Sequence, residues 1–178
     1  MPDDSSQSKL RKRLALGDRK EVGEAGAVAR EVLDDPALTR PLVDLLEDDD
    51  EAVVAHVAHV VMQVGKDAPQ LFEPHTDRLL SILRTCSQWE IGEQLPKVLA
   101  VIPLDDDQTQ QLADMLVTQI DAKSNLAAAS ALSGLAELAQ TGRIGEDVAR
   151  SAIWKALASP RKALAARARR IAREAGWQ

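Results

Sequence analysis

Residues 48–65, DDDEAVVAHVAHVVMQVG, decide the fold class of this chain. On a helical wheel the valines, together with Ala58 and Gly65, cover an apolar arc of roughly 160°. A helix that packs on one side only needs an arc of about 100°. We therefore predict a helix that packs in two directions, against a helix of its own pair and against helices of neighbouring pairs.

Two histidines of the same stretch, His56 and His59, fall on the hydrophilic side of that wheel. They could share a metal ion, but a zinc site needs a third or fourth ligand at fixed geometry. The nearby carboxylates belong to the start of the helix, and nothing in the sequence places His75 close to the pair. We predict solvated surface histidines and no metal site.

Two aspartate triplets, residues 48–50 and 105–107, are candidates for a divalent-cation site or for paired acid–base carboxylates. Neither has the alternating pattern of an EF-hand loop with its closing glutamate. Each precedes an expected helix, where negative charge meets the positive end of the helix dipole. We interpret both triplets as helix-capping segments.

Helix signals follow one another along the chain after a polar lead, residues 1–8, which we expect to be disordered. Prolines stand where helices would begin, glycines where they would end, and short polar residues at N-cap positions. The prolines are Pro36, Pro74 and Pro160, and the glycines are Gly65, Gly142 and Gly176. The N-cap candidates are Asp50, Asp107 and Ser124. Neither strand-like alternation nor a hairpin turn signal is present. We predict an all-α protein with helices near residues 9–16, 19–33, 37–47, 51–65, 75–86, 89–102, 108–121, 124–140, 146–158 and 161–175.

An apolar template recurs along the chain at offsets 0, 4, 7 and 11, which form one stripe on a helix. The copies are Val22-Gly26-Ala29-Leu33, Val54-Ala58-Val61-Gly65, Ile91-Leu95-Val98-Ile102, Asn125-Ala129-Leu132-Ala136 (three matches of four) and Leu164-Ala168-Ile171-Ala175. Successive copies begin 32, 37, 34 and 39 residues apart, and another expected helix lies between each pair. A regularly repeated helix pair predicts an α-solenoid.

These repeats resemble those of HEAT-type proteins, above all in DDDEAVVAHVAHVVMQVG and in SPRKALAARARRIAREAG near the C-terminus. Pro96 departs from the pattern because it lies inside a helix, and armadillo-like or other helical-pair repeats remain alternatives. The resemblance implies a right-handed superhelix over residues 9–178, a single domain of about four helix pairs plus a terminal helix. It also implies a scaffold that binds another macromolecule along the face lined by the second helices of the pairs.

Composition and the pattern of apolar residues indicate the cellular compartment of the protein. Cys86 is the single cysteine among 178 residues, so no internal disulfide forms, and a reducing cytoplasm fits best. The N-terminal segment has no apolar stretch of the kind found in signal sequences. The longest uncharged run, residues 52–65, is too short to span a bilayer. We expect a cytoplasmic protein without a membrane segment.

No catalytic motif is present. The three histidines lie within residues 56–75, away from any recognisable nucleophile motif, and neither phosphate-binding glycine loop occurs. HEAT-like DNA glycosylases share this architecture, but they need aromatic side chains around the damaged base, and the chain has four aromatic residues. A chromophore lyase is a further alternative. We predict a non-enzymatic protein without a cofactor or a small-molecule substrate.

Charge is segregated along the sequence. Residues 1–30 carry +2, residues 31–60 carry −8, residues 91–120 carry −4 and residues 151–178 carry +6. The last helix places its cations on one side, and these are Arg161, Lys162, Arg167, Arg169, Arg170 and Arg173. They form a polar end cap, a phosphate-binding stripe to which Lys9, Arg11, Lys12 and Arg13 would add, or a contact for an acidic protein surface, such as residues 31–51 of a second copy.

The second helices of the pairs carry a mixed polar surface that suits a protein partner better than a small molecule. The candidate contacts are Arg78, Arg84, Arg150, Trp154 and Lys155. Trp154 is either a binding anchor or a core residue. Trp89 and Trp177 are interpreted as packing or end-sealing residues. We predict a protein-interaction scaffold or adaptor, with a nucleic-acid-associated protein as the alternative.

Overall fold

A computed structural model describes residues 4–17, 23–85 and 87–177. Within these ranges the protein is all-α: helices follow one another with short links, and no strand is present. Three 3-10 helices, Pro36–Leu38, Leu45–Glu47 and Pro69–His75, lie in the links around the third and fourth helices. The α-helices are α1 (Asp4–Leu14), α2 (Ala25–Asp34), α3 (Thr39–Asp44), α4 (Glu51–Asp67), α5 (Thr76–Thr85), α6 (Trp89–Leu99), α7 (Asp106–Gln119), α8 (Asn125–Gln140), α9 (Glu146–Leu157) and α10 (Lys162–Glu174).

The helices form two layers of an α-solenoid. In the first, here called the even layer, α2, α4, α6, α8 and α10 stack in chain order, each against the next. These are the five helices in which the sequence template recurs. In the second, the odd layer, α1, α3, α5, α7 and α9 cover one side of that stack. In chain order, α1 is followed by the consecutive helices α2/α3, α4/α5, α6/α7 and α8/α9 and then by α10.

Small side chains allow the even layer to pack closely. All six valines of α4, at positions 53, 54, 57, 60, 61 and 64, are buried. Gly65, near the end of α4, faces Val98 of α6 so closely that a Cβ atom would lie 2.7 Å from Val98 Cγ1. Gly65 is therefore a packing residue and not a helix terminator, and α4 continues two residues beyond it to Asp67.

Side-chain caps begin several helices. Asp50 accepts a hydrogen bond from the Ala52 N–H at the start of α4, and Ser124 caps α8. The cap of α7 is Asp105 and not Asp107, because Asp105 forms a reciprocal capping box with Gln108. Gly142 and Gly176 end α8 and α10 with φ values of +70° and +71°, as expected.

Several expectations about the N-terminal region are wrong. The first helix begins at Asp4, so residues 4–8 of the expected disordered lead are helical, whereas residues 1–3 lie outside the described part of the chain. The helix expected from residue 19 begins at Ala25, and residues 18–22 are also outside it. Gly26 is exposed with no neighbour near its Cβ position, because α2 packs through Ala25, Val28 and Val32.

His56 is buried and not solvated. Only 3% of it is exposed, and its Nδ1 lies 2.7 Å from the carbonyl oxygen of Leu14. A carbonyl oxygen only accepts, so Nδ1 carries the proton of this hydrogen bond. The wheel of α4 alone placed His56 opposite the valines, but α1 packs across that side and covers it.

Candidate functional site

Several of the predicted contact residues of the odd layer bind side chains of neighbouring helices. Arg78 of α5 pairs with Asp44 at the end of α3 and with Glu47, 2.7 Å away. The Gln108 amide of α7 donates to Asp77 of α5 at 2.8 Å. We call this set the polar ladder; its other members are Arg84 with Gln111 at 2.8 Å and Lys155 with Asp121 at 2.7 Å.

The polar ladder directs part of the predicted binding surface to internal contacts. Burial lowers the pKa of Arg78, but the hydrogen bond from Arg78 to Glu47 and the charges of Asp44 and Glu47 outweigh it, so the pKa is raised. Arg150 lies 4.0 Å from Glu146 of its own helix, an i,i+4 contact. Three of the five candidates, Arg78, Arg84 and Lys155, therefore connect one helix of the odd layer to another.

Trp154 is a large apolar candidate of this surface that stays exposed, at 58% of its accessible area. It lies two residues, or about 200°, from the buried Ala152, on the opposite side of α9. The interpretation of Trp154 as a core residue is wrong. Its indole is a bulky apolar group that faces solvent.

The basic C-terminal helix divides into inward and outward cations. The Arg161 guanidinium donates to Asn125 Oδ1 at 2.7 Å, and Arg167 donates to Ser133 Oγ at 3.3 Å, so both bind back to α8. Arg170 lies 3.6 Å from Glu174 of its own helix. Lys162, Arg169 and Arg173 are exposed and form no hydrogen bond or ion pair with the described residues.

The basic residues of the N-terminus do not extend this cationic face. Arg11 binds Asp48 through two hydrogen bonds of 2.7 and 3.0 Å, and it lowers the pKa of that carboxyl. Arg13 binds Glu24 and Glu31, both at 2.5 Å. Helix α1 packs on α3 and α4, whereas α10 packs on α8 and α9, so the two basic segments lie at different ends of the stack.

A groove of about 730 Å³ opens where the α5–α6 and α7–α8 links come together. We call it the α5–α8 groove. Apolar atoms supply most of its surface, and the apolar residues of the lining are Leu83, Trp89, Gly92, Met115, Ala122 and Ala127. Trp89, at the start of α6, stands at the edge of the groove and is 42% exposed. A volume of this size is typical of binding clefts.

Hydrogen bonds fix the inner wall of the α5–α8 groove. The Gln119 side-chain nitrogen of α7 donates to the carbonyl of Gly92 at 2.7 Å and to that of Ala127 at 2.8 Å. A Cβ atom on Gly92 would lie 3.0 Å from the Cβ of Ala127, so α6 and α8 approach closely here. The Ser130 hydroxyl adds a hydrogen bond of 2.6 Å to the Glu93 carbonyl. The wall is therefore formed before any partner binds.

The charged rim of the groove is cationic. Arg84 binds the neutral side chain of Gln111, and the exposed Lys123 has no bonding partner in the described chain. The one carboxylate of the rim, Asp114, already accepts a hydrogen bond of 2.9 Å from Gln110. The side-chain oxygen of Gln88 is buried at the groove and has no hydrogen-bond partner within the described residues.

Sequence reasoning missed the groove, although one signal for it exists. Trp89 precedes the buried Ile91 by two residues and so points about 200° away from the packed stripe of α6. A tryptophan on that side is not explained by packing within its own helix. The interpretation of Trp89 as a packing residue is therefore incomplete, whereas Trp177, 7% exposed, does seal the end of the stack.

The described residues contain no group of three or more metal-ligating side chains. His59 instead pairs with Gln63, their nitrogens 2.8 Å apart, and burial lowers its pKa. His75 also has a pKa lowered by burial. No helix in the described ranges is long and apolar enough to cross a membrane.

Solved structures of engineered repeat proteins are similar to this chain. One engineered protein has a TM-score of 0.59 and 19% identity, covering 96% of this chain and 85% of its own. Designed armadillo repeat protein YIII(Dq)4CqI has a TM-score of 0.58 and 22% identity, covering 91% and 72%. Designed armadillo repeat protein YIII(Dq.V1)4CPAF, in complex with peptide (KR)4, has a TM-score of 0.58 and 18% identity, covering 96% and 80%. No protein-family model and no curated protein matches the sequence.

The predicted α-solenoid is confirmed by these structures and by the stacked layers of this one. At such low identities the likeness extends to the fold alone.

Proposed function

We propose that this protein is a non-enzymatic, cytoplasmic scaffold that binds a protein partner in the α5–α8 groove. The observation that carries the proposal is the exposed indole of Trp89 beside an apolar cleft of about 730 Å³. Tryptophan is enriched at binding hot spots, where it fills a desolvated pocket on the partner. A preformed cleft with such an anchor binds with little loss of conformational entropy.

The rest of the odd layer supports a scaffold. The polar ladder connects α3 to α5, α5 to α7 and the end of α7 to α9, so the helices that surround the groove are held in register. One designed armadillo repeat protein of similar fold is in complex with a peptide, so this architecture can present a peptide-binding surface. Trp154 offers a second contact on the same layer.

The polar groups of the groove favour binding over catalysis. The Gln119 amide is bound to two carbonyls, and the Thr118 hydroxyl donates to the Asp114 carbonyl at 3.0 Å. No histidine lines the groove, so a serine–histidine pair of the kind that activates a nucleophile is not among its lining residues. These groups support the structure of the wall and leave its apolar surface as the contact area.

The test is affinity capture from a lysate of the native source, with and without nuclease, using the tagged wild type and Trp89→Ala. We expect a stoichiometric protein that survives nuclease and is lost with Trp89→Ala. The matched control is Leu126→Ala, which removes an exposed apolar side chain outside the groove and should retain that protein. Equal recovery by both variants would place the contact elsewhere on the molecule.

The outward cations of α10 support a second candidate, nucleic-acid binding. A phosphate backbone needs cations that are free to contact it. Three such side chains on α10 are exposed and unpaired with any described residue, namely Lys162, Arg169 and Arg173. If these three cations each contact a phosphate, a plot of log affinity against log salt concentration should have a slope of about −3. Binding of a DNA or RNA duplex with this slope, lost in the triple glutamine variant, would support this candidate over the scaffold.

A further inference from the structure

We propose that the partner segment in the α5–α8 groove is a short peptide with a bulky apolar residue flanked by acidic residues. This inference rests on the proposed function and names the chemistry of the partner. It follows from three properties of the groove: its apolar lining, the charge of its rim and one unsatisfied polar atom.

The apolar lining accepts a bulky side chain. Leu83, Met115 and Ala127 form a surface at the junction of four helices, and Trp89 stands at its edge. A large apolar side chain placed here would lose its contact with water and pack against the indole. The cleft is larger than one such side chain needs, so it also accommodates the adjoining backbone of the peptide.

The rim selects the sign of the flanking charges. Arg84, at the end of α5, and Lys123, between α7 and α8, have no carboxylate partner among the described residues. Asp114 keeps its negative charge, because the Gln110 amide that donates to it is neutral, so the three charged residues of the lining sum to +1. Acidic residues on the peptide would meet the two cations, whereas basic residues would be repelled by them. The peptide (KR)4 held by the designed armadillo protein has the opposite charge.

The buried side-chain oxygen of Gln88 supports a peptide in particular. A buried acceptor without a hydrogen bond is costly, and the described chain supplies no donor for it. If the Gln88 side chain rotates toward the groove, a backbone N–H of a bound peptide becomes such a donor. Because Gln88 precedes Trp89, this hydrogen bond would fix the backbone next to the anchored side chain.

The experiment measures fluorescence anisotropy of the full chain with labelled peptides of about nine residues. Each peptide has a central tryptophan or leucine, flanked by glutamates, glutamines or lysines. We expect the glutamate peptides to bind at least about tenfold more tightly than the glutamine peptides, and the lysine peptides most weakly. Trp89→Ala should weaken the best peptide at least about 30-fold.

Charge reversal tests the rim separately. The double variant Arg84→Glu, Lys123→Glu should reverse the order, so that lysine peptides bind more tightly than glutamate peptides. The control Arg30→Glu, Lys66→Glu makes the same change of net charge with exposed residues outside the groove, and it should preserve the wild-type order. Circular dichroism and thermal unfolding establish that each variant is folded before its binding is compared.

Each contrary result has a distinct meaning. If glutamate and glutamine peptides bind equally, or lysine peptides bind best, the proposed peptide chemistry is wrong. If no peptide binds while Trp89→Ala still abolishes capture from lysate, the scaffold function stands and the acidic segment is overturned. If neither binding nor capture depends on Trp89, both proposals fail.

Discussion

The even and odd layers of this solenoid use their residues in different ways. In α4 of the even layer, ten of 17 residues are buried, whereas in α9 of the odd layer four of 12 are buried. An even helix contacts the preceding even helix, the following one and the odd layer, so most of its circumference is covered. An odd helix keeps a wide solvent-facing side.

This difference separates stability from recognition. The even layer contributes the larger share of the continuous hydrophobic core, which the odd layer completes with residues such as Leu79 and Leu112. Burial of this core is the main driving force of folding. The odd layer exposes Trp154 and Val117, and polar side chains such as Gln108 connect its successive helices. The α5–α8 groove lies where the two layers meet, so its floor is fixed by the first and its rim is supplied by the second.

Truncating one valine in each layer should give the largest difference in the free energy of unfolding. Val61→Ala in α4 removes two fully buried methyl groups and should lower the free energy of unfolding by about 2 kcal/mol or more. Val117→Ala in α7, where 41% of the side chain is exposed, should change it by less than about 0.5 kcal/mol. Urea unfolding measures both, and equal losses would contradict the two-layer account.

Two glycines test how closely α4 and α6 pack. Gly65→Ala should destabilise the protein by about 1–2 kcal/mol, since the new methyl group would clash with the buried Val98. Gly26→Ala, in open space on α2, should stabilise it by up to about 1 kcal/mol through helix propensity. Thermal unfolding compares the two, and a stabilising Gly65→Ala would show that α4 and α6 are not held at this distance.

The polar ladder should contribute less. Arg78→Gln breaks two ion pairs of a side chain that is 43% exposed, so we expect a loss of at most about 1 kcal/mol. The loss should shrink at high salt, because screening already weakens the pairs in the wild type. Arg30→Gln, without an ion pair among the described residues, is the control and should cost nothing measurable. A larger loss that is insensitive to salt would assign Arg78 a packing role instead.

The smallest expected effect is a dependence on pH. Burial lowers the pKa of His59 and of His75 below the ordinary 6.5, outweighing the opposing charges of Glu93 and Asp44. The unfolded chain therefore takes up protons first as the pH falls, and stability should decrease between about pH 7 and about pH 5. His59→Gln, His75→Gln should flatten this part of the urea-midpoint profile. An unchanged slope would place its origin in other groups.

The sequence predicted what a single helix can encode. The regular spacing of the recurring stripe identified the solenoid. The stripe is fully buried in its α4 and α6 copies, whereas its α2 copy leaves Gly26 exposed. Residues whose environment comes from another helix were misjudged. His56 is buried by α1, and Arg161 and Arg167 turn back to α8.

The candidate site was harder to predict because its lining comes from four helices. Leu83, Trp89, Met115 and Ala127 are far apart in sequence, and each alone looks like an ordinary packing residue. Their convergence depends on where the α5–α6 and α7–α8 links end, which periodicity does not determine. Trp89 on the unpacked side of α6 was the one local signal, and Trp154 shows the same signal on α9.

Site-specific photocrosslinking in a lysate of the native source tests the central claim most directly. A photoreactive phenylalanine analogue would replace Thr118 at the groove, Trp154 on α9 or Arg169 on α10, one position in each sample. We expect a discrete protein adduct at position 118 that persists after nuclease treatment, and no adduct at position 169. Adducts confined to position 169, or adducts that nuclease removes, would contradict a protein scaffold that binds through the α5–α8 groove.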